Sequence, residues 1–490
     1  MSCIRFGWAE TDITPKQKIS LAGEFFERVT DEAETPITAT ALAIECGGEQ
    51  AVICSLDVVS IGANLVDMVK SKVRAEGLDP EKIIICAPHI HNSYTYKRDS
   101  GMGKPTSKLI FEHMPEGCRY VSQAPSEEAL DPELALEYLV SKAAEVIDKA
   151  WSKLSYGCFA YGFGRAAIGM NRRVCYSDGT AKMWGDADTP TFTGLEYGDD
   201  NGVEMLFIYD SARRLTGIVC NVACPAQVME QRTIISSDYW GKLKILLREK
   251  YGGDIMLLPL CSAAGDLCPR DLVRWVEPET PIKDPNVIRV SPKYRRADPS
   301  MFDVKGTWKI GRRLLSEIDM ALEEVAEYHT EVPFEHRSRE LRLPLRRVTD
   351  SEYHSALKSI GEFFKGKTVV NYADSAALHI YMGIVRRYEV QRERDTVAMN
   401  VHYMRLGDMA FCTNPFELFV NYGHKIRARS AAAQTMIIQL CNGSLGYLPT
   451  EEAEKHSHYS AYVASGHIGH AGGELLVREA LTNIREMFDK

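Results

Sequence analysis

The sequence lacks any paired Cys-x-x-Cys spacing, although it contains 13 cysteines in 490 residues. This odd and scattered set argues against a disulfide framework and against a structural zinc knuckle, and it favours reduced thiols. No apolar run approaches the roughly 18–20 residues that a membrane-spanning helix needs, so membrane insertion is not expected. Basic residues are not in excess, since the net charge is -9, and this argues against a nucleic-acid partner.

The N-terminus has no basic stretch followed by an apolar run, so a secretory signal peptide is not expected and the protein is predicted to be cytoplasmic. Internal repeats and low-complexity segments are absent as well. A chain of 490 residues is too long for one ordinary core, which favours two subdomains or one large layered unit. We predict a single large domain over 1–490, with any subdomain boundary near 330–350. The sequence does not define an oligomeric state.

Hydrophobic patterns predict an α/β protein, with mixed β-sheets in a layered core flanked by helices. Predicted strands are 39–46, 51–56, 82–86, 203–209, 215–222, 254–260, 398–405, 408–413 and 435–440, with a further strand beginning at 335. Predicted helices are 63–76, 131–153, 237–251, 305–328, 351–364, 373–390, 417–428 and 473–488. Several strands end in loops that carry polar residues, and the carboxyl ends of strands are where open α/β sheets bind ligands.

Two histidines, His89 and His91, follow the predicted strand 82–86. On an extended backbone their side chains point to the same side, and two imidazoles there can chelate a borderline-soft metal such as zinc. The alternative is a pair of polar residues in a surface loop. Asp57 follows the strand 51–56 and is a candidate to orient a ligating imidazole, or it is an ordinary cap or turn residue.

Three later loops also carry candidate chemistry. Gly265 lies in a loop whose backbone N–H groups can face an anionic centre, and Cys268 nearby is either a nucleophile with a lowered thiol pKa or an inert thiol in a tight turn. Glu417 stands at a predicted helix start, where the macrodipole favours a carboxylate without any function. Tyr447 lies in the Gly-rich loop 442–450, either as a functional phenol or as packing.

Taken in order, these segments resemble the neutral/alkaline non-lysosomal ceramidase superfamily, specifically its amino-terminal catalytic domain. The resemblance covers nearly the whole chain, and six short matches in the family's order are more specific than any single one. The matching segments are Gly7-x-Ala9-x-x-Asp12-Ile13-Thr14-Pro15, His89-x-His91, Asn171-Arg172, Gly265-Asp266-Leu267-Cys268-Pro269, Pro415-Phe416-Glu417 and Gly446-Tyr447.

The resemblance implies amide-bond hydrolysis by a water bound to one zinc ion. The implied zinc ligands are His89, His91, Glu417 and Tyr447. Arg172, with Tyr459 or Tyr462, would steady the oxyanion, although Arg172 could instead pair with a substrate carboxylate. We also place Asp266 and Cys268 among the candidate catalytic residues. Asn171 and Asp57 are candidates to support the metal ligands.

The chain also departs from the family pattern. The segment 221–227 lacks the family's third histidine ligand, so either Gln227 replaces it through its amide oxygen or the ligand is lost. An oxygen donor there would admit Mn or Fe beside Zn. Cys268 replaces the family's serine. A secretion signal and a carboxy-terminal immunoglobulin-like domain are also missing, which favours a smaller, soluble and polar amide over a long-chain sphingolipid.

Three functions therefore remain open. The first is a metal-dependent amidohydrolase that acts on a soluble small molecule, with one divalent metal, Zn foremost. The second keeps the metal but cleaves an ester or glycoside, or eliminates or isomerises a sugar-like compound. The third is a non-catalytic binding protein on the same fold. Tyr94, Tyr96, Lys97, Arg98 and Lys104, in the segment 92–130, indicate a polar and anionic substrate or simply a solvated surface.

Overall fold

A computed structural model describes residues 4–24, 27–98, 104, 106–121, 128–273 and 303–489. The α-helices within these ranges are α1 Ala63–Lys72, α2 Thr106–His113, α3 Pro132–Ser152, α4 Asp238–Tyr251, α5 Asp303–Glu323, α6 Asp350–Phe364, α7 Tyr372–Val390, α8 Val420–Arg429, α9 Glu451–His456 and α10 His470–Phe488. Two short 3₁₀ turns lie at Pro80–Lys82 and Val463–Ser465.

Strands alternate with these helices along the chain. They are β1 Arg5–Asp12, β2 Ile19–Ser20, β3 Val29–Thr30, β4 Thr38–Cys46, β5 Glu49–Leu56, β6 Ile83–Cys86, β7 Arg119–Tyr120, β8 Ser155–Arg165, β9 Met170–Asn171, β10 Arg173–Tyr176, β11 Ala181–Met183, β12 Phe192–Leu195, β13 Gly202–Asp210, β14 Leu215–Val222, β15 Met256–Cys261, β16 Leu267–Cys268, β17 Phe334–Pro344, β18 Val369–Val370, β19 Thr396–Leu406, β20 Met409–Thr413, β21 Glu417–Leu418, β22 Gln434–Ile438 and β23 Tyr447–Leu448.

Two sheets packed face to face form the centre of the fold. The larger has eight strands in the order β15-β14-β13-β8-β1-β4-β5-β6, and the smaller has four in the order β17-β19-β20-β22. Apolar side chains of both sheets form one cluster between them, including Trp8, Leu206, Phe411 and Met436. The two sheets therefore bury their inner faces against each other, as in a sandwich.

Helices cover the outer face of each sheet. The residues of α1 and α3 pack on one half of the larger sheet, those of α4 and α5 on the other half, and those of α8 and α10 on the smaller sheet. The result is a four-layered arrangement of helices, two sheets and helices. This confirms the predicted α/β class with mixed sheets in a layered core.

Three parallel strand pairs interrupt the otherwise antiparallel sheets. They are β5 with β6, β14 with β15, and β20 with β22. Each pair is joined by a helix, because a parallel connection must cross from one end of the sheet to the other. The carboxyl ends of all three pairs lead into the loops that carry the candidate site residues.

A buried chain of polar groups links the two sheets near that end. The Nδ1 atom of His336 lies 2.8 Å from the Gln50 carbonyl, and its Nε2 atom lies 2.9 Å from Nδ1 of His402. The Nε2 atom of His402 lies 2.7 Å from the Asn442 side-chain nitrogen. One assignment of protons satisfies every member, so this is a structural network of neutral histidines. Burial lowers the pKa of His336 to about 4.

The segment 330–350 contains β17, which pairs along its length with β19 of the smaller sheet. The domain division predicted there stays a prediction. Sequence reasoning missed β1, β8 and the small sheet β11-β10-β12. Within the described ranges, no helix is both long and apolar enough to cross a membrane, and no disulfide joins two of the cysteines there.

Close packing at Gly217 of β14 provides a test of the core. A Cβ at this position would lie 2.6 Å from ring carbons of Trp8. We expect Gly217→Ala to lower the free energy of unfolding by about 1–3 kcal/mol, because the indole is held between the sheets and overpacking forces it to move. Urea denaturation measures this. Gly253→Ala is the control, since a Cβ there meets no atom within 4 Å. Equal losses in both variants would contradict the packing described.

Candidate metal centre

His89 and His91 follow β6 and turn their imidazoles toward each other. Their Nε2 atoms are 3.2 Å apart, and the ring planes are inclined by 79°. The expected extended backbone is not what brings them together, because His89 has φ of 62°, in the left-handed region. The convergence predicted from the spacing is present, but it depends on a strained residue rather than on strand geometry.

The other ring nitrogens of the two imidazoles have different surroundings. The Nδ1 atom of His89 donates to the Val59 carbonyl at 2.7 Å, which leaves its Nε2 lone pair directed at His91. The Nδ1 atom of His91 lies 3.4 Å from Oε2 of Glu230 but is buried without a hydrogen bond to any described residue. Two lone pairs at this separation repel each other unless a proton or a cation lies between them.

Asp57 does not orient either imidazole. Its Oδ2 accepts hydrogen bonds from the backbone N–H and the hydroxyl of Thr38, at 2.7 and 3.0 Å. The Val59 carbonyl holds His89 instead, and the Glu230 carboxylate lies beside His91. A backbone carbonyl has no sequence signature, and Glu230 comes from the distant loop after β14. Sequence reasoning therefore missed both.

Glu417 and Tyr447 lie side by side because they are register partners in the parallel pair β21–β23. Register partners in a sheet point to the same face. The Oε2 atom of Glu417 is 3.5 Å from Nε2 of His89. The prediction that Glu417 begins a helix is wrong, since α8 begins at Val420. The macrodipole therefore does not account for a carboxylate at this position.

Gly265 allows the backbone of this strand pair to approach the loop after β15. Its N–H donates to the Leu418 carbonyl at 2.8 Å, and a Cβ on Gly265 would collide with the Glu417 carbonyl. Gly265 is therefore required because the backbone of its loop is in close contact with the backbone of β21.

Gln227 takes the place predicted for it near the histidines, but its amide oxygen faces Arg172. That oxygen lies 3.5 Å from a guanidinium nitrogen of Arg172, and the amide nitrogen donates to Glu230 at 3.1 Å. If the amide were flipped, its NH₂ group would face the Arg172 guanidinium and its oxygen would face the Glu230 carboxylate. Both contacts would be repulsive, so the neighbouring charges determine the orientation of the amide. Gln227 bridges Arg172 and Glu230, and Glu230 in turn contacts His91.

Arg172 connects this bridge to Tyr447. One of its nitrogens donates to the Tyr447 hydroxyl at 3.3 Å and to the Gly265 carbonyl at 3.0 Å. Its guanidinium carbon also lies 5.8 Å from the ring centre of Trp184, a cation–π distance. These contacts complete a buried ring of polar groups, which we call the polar ring. Its members are His89, His91, Glu230, Gln227, Arg172, Tyr447 and Glu417.

Asn171 and Asp266 support Arg172 from behind. The Asn171 side-chain nitrogen donates to Oδ2 of Asp266 at 3.0 Å, and the Val420 N–H donates to Oδ1 at 2.7 Å. Burial raises the pKa of Asp266 to about 6, partly opposed by the Val420 hydrogen bond. Both carboxylate oxygens are engaged in holding α8 and the Arg172 strand. This makes Asp266 a positioning residue and not, as predicted, a catalytic one.

Cys268 lies beside Arg172 but is not placed as a nucleophile. Its thiol is fully buried and donates to the Arg270 carbonyl at 3.3 Å. Burial raises the pKa of Cys268 to about 12, and the arginine charges only partly oppose this. A protonated thiol is a poor nucleophile. The structure therefore favours the inert-thiol alternative.

The two tyrosines that the sequence left open are separated by the structure. The ring of Tyr459 meets Tyr447 edge to face, with centroids 5.6 Å apart. Tyr462 instead lies 5.9 Å from the ring of His458. Only Tyr459 extends the polar ring.

The loop that carries Tyr459 is strained and clamped. Ser457, His458 and Ser460 have φ of 61°, 74° and 69°, a conformation that non-glycine residues rarely adopt. Arg173 donates to the carbonyls of Ser457 and Tyr459, at 2.9 and 3.1 Å. The same guanidinium binds the fully buried Glu196 with two nitrogens, at 2.6 and 3.1 Å.

Burial sets the protonation state of the histidines in the polar ring. It lowers the pKa of His89, against the raising effect of Glu417, and it lowers the pKa of His91 well below its usual value. Both imidazoles are therefore neutral near pH 7, the state in which they can bind a metal. On another side of His91, Glu24 and Glu230 form with it a separate arrangement that can hold a cation.

The structure thus sorts the predicted residues into three groups. The first meets in or beside the polar ring: His89, His91, Gln227, Arg172, Glu417, Tyr447 and Tyr459. The second supports it or packs behind it: Asn171, Asp266 and Cys268. The third lies outside it: Asp57 and Tyr462.

Comparison with solved structures finds the same fold in neutral ceramidase. The structure of a neutral ceramidase from Pseudomonas aeruginosa has a TM-score of 0.66 and 16% sequence identity, covering 99% of this chain and 75% of that one. A ceramidase complexed with C2 has the same TM-score and identity, covering 99% and 76%. No family model matches the chain, and no curated protein matches it by sequence. The chain has the neutral-ceramidase-like fold that the sequence predicted.

The clamp on the Tyr459 loop gives a prediction for stability. We expect Glu196→Gln to lower the free energy of unfolding by about 3 kcal/mol, because Arg173 would stay buried without its counter-charge. Urea denaturation measures the loss. Glu145→Gln is the control, since this pair with Lys149 is partly exposed on a helix and is worth about 0.5 kcal/mol. Losses of similar size would show that the buried pair does not clamp the loop.

Proposed function

We propose that the protein is a metal-dependent hydrolase that cleaves the amide bond of a soluble, polar small molecule. The observation that carries the proposal is the 3.2 Å separation of two Nε2 atoms with Glu417 Oε2 3.5 Å from one of them. Two ligands of a tetrahedral ion with bonds of about 2.0–2.1 Å lie roughly 3.3 Å apart. His89 is thus spaced from His91, and from Glu417, like two ligands of one ion.

The donors in the polar ring suit a divalent metal held by His89, His91, Glu417 and Tyr447. The Val59 carbonyl orients His89 through Nδ1, as is usual for metal-binding histidines. Gln227 is left out, because its oxygen already faces Arg172. Two nitrogen and two oxygen donors favour zinc and also accept Mn or Fe.

A metal bound there would polarise the amide carbonyl and lower the pKa of a coordinated water. Arg172 donates to the Tyr447 hydroxyl and is held rigidly by the Gly265 carbonyl. Its charge therefore stays beside the position where an oxyanion would form. Tyr459, which packs against Tyr447, can add a hydroxyl donor there. Preorganised donors of this kind stabilise tetrahedral intermediates.

The comparisons support the choice of reaction. Two of the similar solved structures are a neutral ceramidase and a ceramidase, and ceramidases hydrolyse an amide bond. The odd number of cysteines and the lack of a disulfide between described cysteines are consistent with the cytoplasmic location that we also propose.

Metal content and activity test the proposal together. We expect about one divalent metal per chain in the purified protein, and hydrolysis of at least one member of a panel of N-acylated amino acids and amines. His89→Ala and Glu417→Ala should each lose metal and at least about 100-fold in kcat/KM, because each removes one ligand. His424→Ala, which removes an exposed histidine of α8, should change neither.

The products distinguish hydrolysis from the other reactions. In labelled water, hydrolysis places solvent oxygen in the released acid, whereas isomerisation does not. A protein that holds no metal, or whose activity survives chelation unchanged, would contradict the proposal.

Cys268 gives a separate test of mechanism. We expect Cys268→Ser to keep activity within about tenfold of wild type, because the buried thiol is protonated and does not attack the substrate. Complete loss of activity in a variant that folds and retains metal would instead favour a cysteine nucleophile.

A further inference from the structure

A cavity of about 940 Å³ opens beside the polar ring. One wall comes from α1 and the segment that ends at Arg98, and the opposite wall from Arg386 of α7 and from His467. Its floor is the loop from Asn442 to Leu445, which leads directly to Tyr447. Arg98 is close enough to the polar ring to lower the pKa of His89, after burial and other neighbours. The cavity lining also includes Pro415 and Leu445, which precede Glu417 and Tyr447 by two residues each.

Most charges on the cavity wall already have partners. Lys70 pairs with Glu81 at 3.2 Å, and Lys97 pairs with Glu133 at 2.6 Å. Arg98 and Arg386 differ, since neither forms an ion pair with any residue in the described part of the chain. Asp67 on the exposed side of α1 is the remaining unpaired acid. Two arginines against one exposed aspartate leave the cavity positive.

Arg98 is held in place by the backbone around it. Its guanidinium donates to the Ser60 hydroxyl. The preceding residues are fixed too, because Lys97 N–H donates to the Pro132 carbonyl at 2.8 Å and Tyr96 hydroxyl donates to the Ser60 carbonyl at 2.7 Å. The remaining guanidinium N–H groups of Arg98 are thus presented to the cavity from a rigid support.

Arg386 contrasts with its neighbour Arg387. Arg387 donates to the carbonyls of Gly466, Arg346 and His467, so its guanidinium is satisfied inside the protein. The Nε atom of Arg386 is buried and has no hydrogen-bond partner among the described residues, and the same holds for Nδ1 of His467. Burial lowers the pKa of Arg386. Arg386 is half-buried, and leaving its buried Nε donor without an acceptor costs free energy that an anion in the cavity would offset.

We propose that this cavity binds an anionic oxygen group of the substrate, a carboxylate or a phosphate, between Arg98 and Arg386. The substrate of the proposed hydrolysis would then be an amide with an acidic group, placed so that its amide reaches the polar ring. This inference rests on the proposed function only in treating the bound anion as part of a substrate. Binding of the anion itself does not depend on catalysis.

Equilibrium titration of the purified protein tests the site. The probes are inorganic phosphate, N-acetylglycine and its uncharged counterpart N-acetylglycinamide. We expect phosphate or N-acetylglycine to bind, and N-acetylglycinamide to bind at least about tenfold more weakly, because a charge-assisted hydrogen bond is lost. The better of the two anions identifies the group as phosphate or carboxylate.

The arginines are tested by Arg98→Gln and Arg386→Gln. Each should weaken binding of the preferred anion by about tenfold or more, whereas Lys70→Gln, which removes an already paired cation of the same wall, should change it less than about twofold. Thermal unfolding of Arg386→Gln checks the fold. Its midpoint should equal or exceed that of wild type without anion, because an uncompensated charge has been removed. Because Arg98 is exposed, Arg98→Gln leaves the packing of the interior unchanged. It therefore provides a second measurement of anion binding that is independent of any effect on folding.

The outcomes separate this inference from the proposed function. If the protein binds an anion through the arginines but hydrolyses no amide, the anion site is supported and only the proposed reaction is wrong. Hydrolysis with the same kcat/KM for charged and uncharged amides overturns the cavity and leaves the reaction standing. Absence of anion binding in wild type, or anion binding by both arginine variants as tight as that of wild type, also overturns the inference.

Discussion

The convergence of three parallel strand pairs at one edge of the molecule is the constraint on which the rest of the structure depends. A parallel pair must be connected by a crossover, so its two strands end at the same side of the sheet. The ends of β5 and β6 lead to the histidines, those of β14 and β15 to Gln227 and Gly265, and those of β20 and β22 to Glu417 and Tyr447. Because the two sheets pack face to face, six loops from distant parts of the chain meet over a single position.

Holding polar groups at that position requires compensation for burial. The polar ring supplies most of it internally, since each charge faces an opposite charge or a hydrogen-bond partner. Behind it, the Arg173–Glu196 pair retains a loop with three left-handed residues, a conformation that costs about 1–3 kcal/mol per residue. Strained backbone of this kind persists only where surrounding contacts hold it in place. Here the contacts of Arg173 hold the loop so that Tyr459 packs against Tyr447. Arg386 is the exception, with a charge that the described protein does not compensate.

Sequence reasoning predicted the architecture and identified residues that the structure brings together in the polar ring, because both depend on local patterns and on motif order. Their role as metal ligands stays a prediction. Hydrophobic runs marked the buried strands, and the motifs marked the loops that follow them. The contacts that arise only from tertiary structure could not be predicted. Glu230 meets His91 across a long separation, the Val59 carbonyl has no signature, and the left-handed residues around Tyr459 decide between two tyrosines that the sequence treats alike. Glu417 was placed at a helix start because a two-residue strand is too short to leave a pattern.

The distribution of the polar ring along the chain has a consequence for biosynthesis. His89 comes from the first fifth of the sequence and Tyr447 from its last tenth, and Asn442 accepts a hydrogen bond from Ile85 across 357 positions. A polypeptide still emerging from the ribosome has the imidazoles long before it has the phenol. The proposed ligands His89, His91, Glu417 and Tyr447 are therefore all present only after translation has passed β23. Under the proposed function, metal binding by the complete set would follow synthesis and assembly of both sheets.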